Sequence, residues 1–433
     1  MTVACRSRRE PRWRQRGQAL LALLMLLGIA LSVFVYNMID PAQASARREA
    51  RTEAALRDVK DALIGWSVAR TSPTDGLNAR PGELPCPDIN PLDGFEDGNC
   101  VAGALGRVPW KTLGIPEPKD ETGELLWYTI AGPLRIWNTN PNPINSDTQG
   151  NLTVYQNSVA TSLTTEAVAI VFAPGAALGN QNRDPAAVDT CPTTGTLIAR
   201  NRCAANYLET AATVNNATLG GPFISTQSSG AFNDKLLVLT SADLMPVVER
   251  RVAIELRKLL QDYKANTACA CTNLGGTAGC YPYADLSDGF SDAAPFFPGN
   301  ENNRGRIPAL GAAPFDWGTS PCASPVPSIP AWFVNNDWRL VVYYSAGQNF
   351  LGPGACVTCV DPTLTVNGVA GSEAVVLTPG PLLSAAPRAP VPTNDPTYWQ
   401  YYFPNDSANY DLNDIYVTPS ATAYARDRIY TIP

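Results

Sequence analysis

The chain has 433 residues, 39 acidic against 32 basic, for a formal net charge of −7, and it contains no histidine. The missing imidazole removes the commonest general base, the commonest metal ligand and the proton relay of most Ser and Cys nucleophiles. With 16% charged residues, 33 glycines and 38 prolines, the composition fits a loop-rich protein of short strands and argues against a nucleic-acid-binding surface.

The first 17 residues carry Arg6, Arg8, Arg9, Arg12, Arg14 and Arg16 against Glu10 alone. From Gln18 to Ile39 follows an uncharged, largely apolar stretch, which by residue count predicts a helix spanning a bilayer, with the arginines keeping the N-terminus cytoplasmic. Arg14-Gln15-Arg16-Gly17, set directly before this stretch, resembles the processing site of type IV prepilins and type II secretion pseudopilins. The resemblance implies cleavage between Gly17 and Gln18 by a prepilin peptidase, methylation of the new N-terminus at Gln18, and retention of the helix as a filament-core element. It also implies other pilins and the inner membrane as partners, with the head in the periplasm or, after assembly, on a surface filament. The family's phenylalanine at the first mature position is Gln18 here, and its glutamate at the fifth is Ala22. The large pseudopilin at the tip of type II systems resembles this chain in lacking that glutamate, which implies a tip position. A competing signal-peptidase site, Ala42-Gln43-Ala44, would give a mature start at Ser45.

Beyond Pro41 the sequence turns charged and helix-forming, and Leu56, Val59, Leu63 and Trp66 make one apolar stripe. Residues 241–266 predict a second such helix, with Val248, Val252, Leu256 and Leu259 on one face. Strands are expected at 125–131, 166–173, 235–240, 338–345, 373–378 and 414–418 from their β-branched and aromatic content. Five features recur in order in the second half, which signals an internal repeat. They are Asp93-Gly94-Phe95 with Asp288-Gly289-Phe290, Gly106-Arg107-Val108-Pro109 with Gly305-Arg306-Ile307-Pro308, and LLWYTIAG with LVVYYSAG. AVAIVFAPG with AVVLTPG follows, then Asn233-Asp234 with Asn413-Asp414. The expected fold is α+β: a basic leader at 1–17, a transmembrane or filament-core helix at 18–40 continuing into an amphipathic helix, and two lobes at 41–242 and 243–433. Each lobe is a helix on a mostly antiparallel sheet with long disulfide-bonded loops.

Setting aside Cys5 in the leader, the 11 cysteines leave an even number, as a disulfide framework in an oxidising compartment requires. Short loops pair Cys86 with Cys100 and Cys191 with Cys203. The pairing among Cys269, Cys271, Cys280, Cys322, Cys356 and Cys359 stays open.

Asp88, Asn90, Asp93 and Asp97 gather around Gly94 oxygen ligands of the kind calcium takes, echoed by Asp285, Asp288 and Asp292. An ordinary Asp-Gly turn is the other reading. Asp120, Glu121 and Glu124 raise paired-carboxylate glycoside chemistry against plain surface acids. Tyr398, Trp399, Tyr401, Tyr402 and Phe403 raise a sugar or partner platform against a half-buried strand. No P-loop, nucleophile elbow or dinucleotide fingerprint is present. The expectation is a structural subunit and not an enzyme: a minor pilin or pseudopilin that enters or caps a filament, with no cofactor beyond that calcium and no nucleic-acid partner. Its rival is an exported binding protein, adhesin or hydrolase using the apolar segment as signal or anchor.

Overall fold

A computed structural model describes residues 15–38, 41–70, 80–98, 100–135, 144–146, 148–265, 279–284, 303–307, 327–336, 338–351, 363–380, 409, 415–418 and 428–433. Two compact units emerge, Met1–Ala54 and Ala55–Pro433.

The first unit holds helix α1 (Gln15–Met38) and the start of α2 (Pro41–Ala69). Proline fits the first position of a helix, where its missing N–H would find no intrahelical partner. The expected membrane crossing is overturned: no helix among the described residues is long and apolar enough to cross a membrane. An uncharged stretch is not the same as an apolar one. Between Gln18 and Tyr36 the apolar run covers only Ala19–Val35, which rises about 26 Å at 1.5 Å per residue against a hydrocarbon core of about 30 Å. The single-pass inner-membrane placement rested on that crossing and falls with it.

In the second unit, the first six-stranded sheet comprises β1 (Leu105–Arg107), β2 (Trp127–Ile130), β3 (Leu152–Gln156), β4 (Ser158–Ala173), β9 (Phe223–Ser225) and β10 (Lys235–Thr240). A short helix α3 (Trp110–Leu113) joins β1 to β2, and two ribbons, β5 (Val188–Thr190) with β6 (Leu197–Ala199) and β7 (Thr210–Ala211) with β8 (Val214–Asn215), lie in the loops between β4 and β9. β2 and β10 flank β4, with Trp127 and Leu236 both opposite Phe172. β10 runs directly into α4 (Ser241–Lys264), whose start is fixed by a capping box: Asp243 accepts the Thr240 N–H at 2.9 Å.

The second half contributes β11 (Arg304–Arg306), helical turns α5 (Ala331–Asn335) and α6 (Trp338–Val341), β12 (Tyr343–Ala346), β13 (Leu364–Val366), β14 (Val369–Ser372), β15 (Ala374–Thr378), β16 (Ile415–Tyr416) and β17 (Arg428–Ile432). Its topology repeats that of the first. The path β1-β2-β4 with β10 beside β4 is matched by β11-β12-β15-β17, and β3 with its parallel neighbour β9 is matched by β13 with its parallel neighbour β16. Individual contacts recur as well. The Tyr128 hydroxyl donates to the Pro85 carbonyl at 3.1 Å and the Tyr344 hydroxyl to the Pro282 carbonyl at 3.2 Å. Asn157 and Asn367 hold left-handed φ of 62° and 51° at equivalent hairpin turns, each donating its N–H at 2.8 Å to the parallel strand, at Ser225 and Tyr416.

One apolar core serves both sheets, because α4 packs on β15 and β17 and also on β10 and β4. Its stripe Val248, Val252, Leu256 and Leu259 is buried, as are Ala253, Leu260 and Tyr263 on the neighbouring face. Leu56, Val59 and Leu63 of α2 enter the same core. The disulfides Cys86–Cys100 and Cys191–Cys203 close the two short loops. Cys280 is also disulfide-bonded, while Cys269, Cys271, Cys322, Cys356 and Cys359 lie outside the described residues.

Candidate functional site

Among the described residues, two places gather side chains whose arrangement asks for a partner or ligand. The first is α1. Leu20, Leu21, Leu23, Leu24, Met25 and Leu26 are all at least 59% exposed, and because consecutive residues step around a helix, the apolar surface encircles it. A helix apolar on every side is stable only when buried in something else, and an unpartnered patch of this size marks an interaction surface. The Gly17–Gln18 bond lies in the opening turns of α1, and Ala22 is exposed farther along it.

The second place is the turn at residues 88–97. Asp88 and Arg107 exchange backbone hydrogen bonds at 2.8 and 2.9 Å, which pins the turn to the edge strand β1. Gly94, at φ +87°, occupies a conformation that favours glycine, and a Cβ there would stand 2.6 Å from the Trp110 ring. The carboxylates brace this loop. Asp97 Oδ2 accepts the N–H groups of Ile89 at 2.5 Å and Asn90 at 2.7 Å, Asp88 Oδ2 accepts that of Gly94 at 2.7 Å, and Asp93 accepts that of Phe95 at 3.0 Å. Only the last, between residues two apart, is the bond of an Asx turn; the others tie together more distant parts of the loop. Among the described residues no group of three or more His, Cys, Asp or Glu is arranged to hold a metal ion. The echoing Asp285, Asp288 and Asp292 lie outside the described residues.

Asp88, 2% exposed, borders a cavity of about 210 Å³ lined also by Arg107, Trp110, Lys111 and Glu117. Burial pushes the Asp88 carboxyl up to about 6, partly offset by the Gly94 N–H and reinforced by the neighbouring charges of Asp93 and Asp97. A carboxyl raised in the folded state favours the protonated protein, so its contribution is fully present below about pH 4 and lost as pH rises through about 6. Asp88→Asn is therefore expected to flatten the fall in stability between pH 4 and pH 7, read from urea unfolding midpoints. An unchanged pH profile would refute the assignment.

Arg107 was not singled out for chemistry by its sequence context, although it belongs to the repeated Gly-Arg-Val/Ile-Pro segment. Its guanidinium lies between the rings of Trp127, at 4.3 Å, and Tyr207, at 4.1 Å, and donates to the Leu125 carbonyl at 2.6 Å. Burial lowers its pKa to about 10, so it stays cationic at neutral pH. Arg183 covers Tyr207 at 4.5 Å and pairs with Glu124 at 3.2 Å. Asp120, weighed with Glu124 as a catalytic pair, instead accepts N–H groups from Thr122, Glu124 and Gly175 at 2.8, 3.1 and 2.8 Å.

A buried carboxyl pair also went unforeseen. Asp234 accepts the Glu209 N–H at 2.9 Å and the Asn216 amide at 3.0 Å, and burial beside Glu209 holds its pKa well above the usual carboxylate range. The aromatic run at 398–403 lies outside the described residues. No family model matches the chain, and neither the curated proteins nor the solved structures provide a match.

Proposed function

We propose that this chain is a minor pilin or pseudopilin, a structural subunit that enters or caps a filament of the type IV pilus or type II secretion kind, with Gln18 as its mature N-terminus. The observation that carries the reading is the encircling apolar surface of α1, with Leu23 and Leu26 63% and 65% exposed. Bundled α1 helices from neighbouring subunits would bury that surface, each large apolar side chain contributing about 1.5–3 kcal/mol. The partners are thus other pilins and, before assembly, the prepilin peptidase acting at Gly17–Gln18.

Four further features support this reading. The chain has no histidine for general-base work, and Asp88, Asp93 and Asp97 each accept backbone N–H groups that brace the 88–97 turn. The duplicated head is bulky for a repeating shaft position, and Ala22 replaces the glutamate that would pair with a neighbour, so a capping place fits best.

The deciding experiment is intact mass and N-terminal sequencing of the protein from cells with and without the peptidase. The expected result is a methylated Gln18 start that depends on the peptidase. A peptidase-independent start at Ser45 would remove α1 from the mature protein and overturn the reading.

A further inference from the structure

The filament reading makes no use of the cavity of about 210 Å³ beside the 88–97 turn. Two residues of its wall, Asp88 and Arg107, are partners across an antiparallel bridge, which sets their side chains on one face, and they are only 2% and 5% exposed. Each keeps one polar atom without a hydrogen-bond partner among the described residues, Oδ1 of Asp88 and Nε of Arg107. Their other polar atoms are committed. Asp88 Oδ2 accepts the Gly94 N–H at 2.7 Å, and the two terminal nitrogens of Arg107 donate to the carbonyls of Leu125 at 2.6 Å and Asn201 at 3.3 Å.

A buried donor or acceptor without a partner is destabilising, so an orphaned acceptor and an orphaned donor on one cavity wall call for an explanation. The pair also selects among ligand classes. A cation would satisfy Asp88 but meet the charges of Arg107 and Lys111, whereas an anion would satisfy Arg107 but meet Asp88, Asp93 and Glu117. A hydroxyl both donates and accepts through one oxygen, so a neutral hydroxylated molecule answers both atoms.

We infer that this cavity is a binding site for a single sugar ring, a neutral pyranose whose hydroxyls donate to Asp88 and accept from Arg107. The rest of the wall agrees with that ligand. Leu92, Val108, Leu125, Leu126 and the Trp110 ring offer apolar surface to the C–H groups of a ring, with the few polar groups fixing its orientation. Size agrees as well, because a cavity of roughly 150 Å³ holds one benzene ring, so about 210 Å³ takes one six-membered ring with its hydroxyls and no second ring. Asp93, Lys111 and Glu117 are exposed, which opens the cavity to solvent on their side. The inference is independent of how the N-terminus is processed.

The test is saturation-transfer NMR on the full chain, with glucose, galactose and mannose as probes and with pentylamine and inorganic phosphate as their charged counterparts. At least one sugar should bind with a Kd on the order of 1 mM, as the ordinary efficiency of a ligand with about 12 non-hydrogen atoms gives, and neither charged probe should displace it. Asp88→Asn, which removes the charge and one acceptor at nearly constant shape, should weaken binding at least tenfold. Leu92→Trp, at a half-buried position of the wall, should block binding by filling the space. It alters no buried polar group and carries the test should circular dichroism show that Asp88→Asn does not fold. Failure of all three sugars to bind, binding that either folded variant leaves intact, or displacement by pentylamine or phosphate would overturn the inference.

Discussion

Arg80→Ala should destabilise the head by about 3–5 kcal/mol, because it strands a carboxylate that has no access to water. Arg80 and Glu83 are both 0% exposed and paired at 2.7 Å. They occupy the first and last positions of an Arg-Pro-Gly-Glu turn, closed by the Glu83 N–H on the Arg80 carbonyl at 3.0 Å, with Gly82 at φ +102°. Arg80 also donates to the Arg135 carbonyl at 2.7 Å, which ties the turn to the end of the segment following β2. Burial lowers the Arg80 pKa while the Glu83 charge opposes that shift. Arg70, at 3.2 Å from Glu83 and 15% exposed, retains part of the compensation, which places the expected loss toward the lower end of the range. Glu83→Ala should cost a similar amount, and the double substitution less than the sum of the two, since each single change leaves an unpaired buried charge. Urea unfolding of the four proteins measures this cycle. A loss below about 1 kcal/mol for Arg80→Ala would show that the pair is solvated in solution.

Much of the head could be read from the amino-acid order because local signals agreed with one another. The α4 start carries its own capping residues, Thr240 and Asp243, followed by an apolar stripe that the structure buries. The strand expected at 235–240 is β10 with those same bounds. Two cysteine pairs in short loops are bridged as their spacing suggests. The failures have equally local causes. The outer half of β4 is polar and exposed on both faces, so no alternation marks it, and only its core half was expected. Trp338–Val341 forms a helical turn where a strand was expected, since a short buried apolar run looks the same for either element. At the 88–97 turn the residue types announced carboxylate oxygens, whereas the backbone amides that one oxygen of each of Asp88, Asp93 and Asp97 accepts become visible only in the folded loop. Arg107 and Asp234 are found only once distant segments meet: Tyr207 supplies a ring to one and Glu209 a carboxyl to the other.

The largest effect on assembly is expected from a carboxylate placed in the middle of α1. Leu24 is 59% exposed on a helix whose neighbouring residues are apolar on every side, so in a bundle of such helices Leu24→Asp would bury a charge with nothing to pair it. The cost of several kcal/mol, added to the lost apolar contact, corresponds to a fall of at least about 100-fold in incorporation, since each 1.4 kcal/mol is tenfold. Leu24→Met keeps volume and polarity and should stay within a few-fold of the unmodified chain. Val188→Asp supplies a control, because Val188 is equally exposed at 59% but sits on a β5 ribbon of the head, and it should incorporate normally. Because residues 1–54 form their own compact unit, Leu24→Asp should leave the head's urea midpoint unchanged, which separates failed assembly from failed folding. The readout is the amount of protein recovered with sheared filaments relative to the cellular total. Recovery of Leu24→Asp at the level of Leu24→Met would mean that α1 is not buried among other helices, and the filament reading would fail with it.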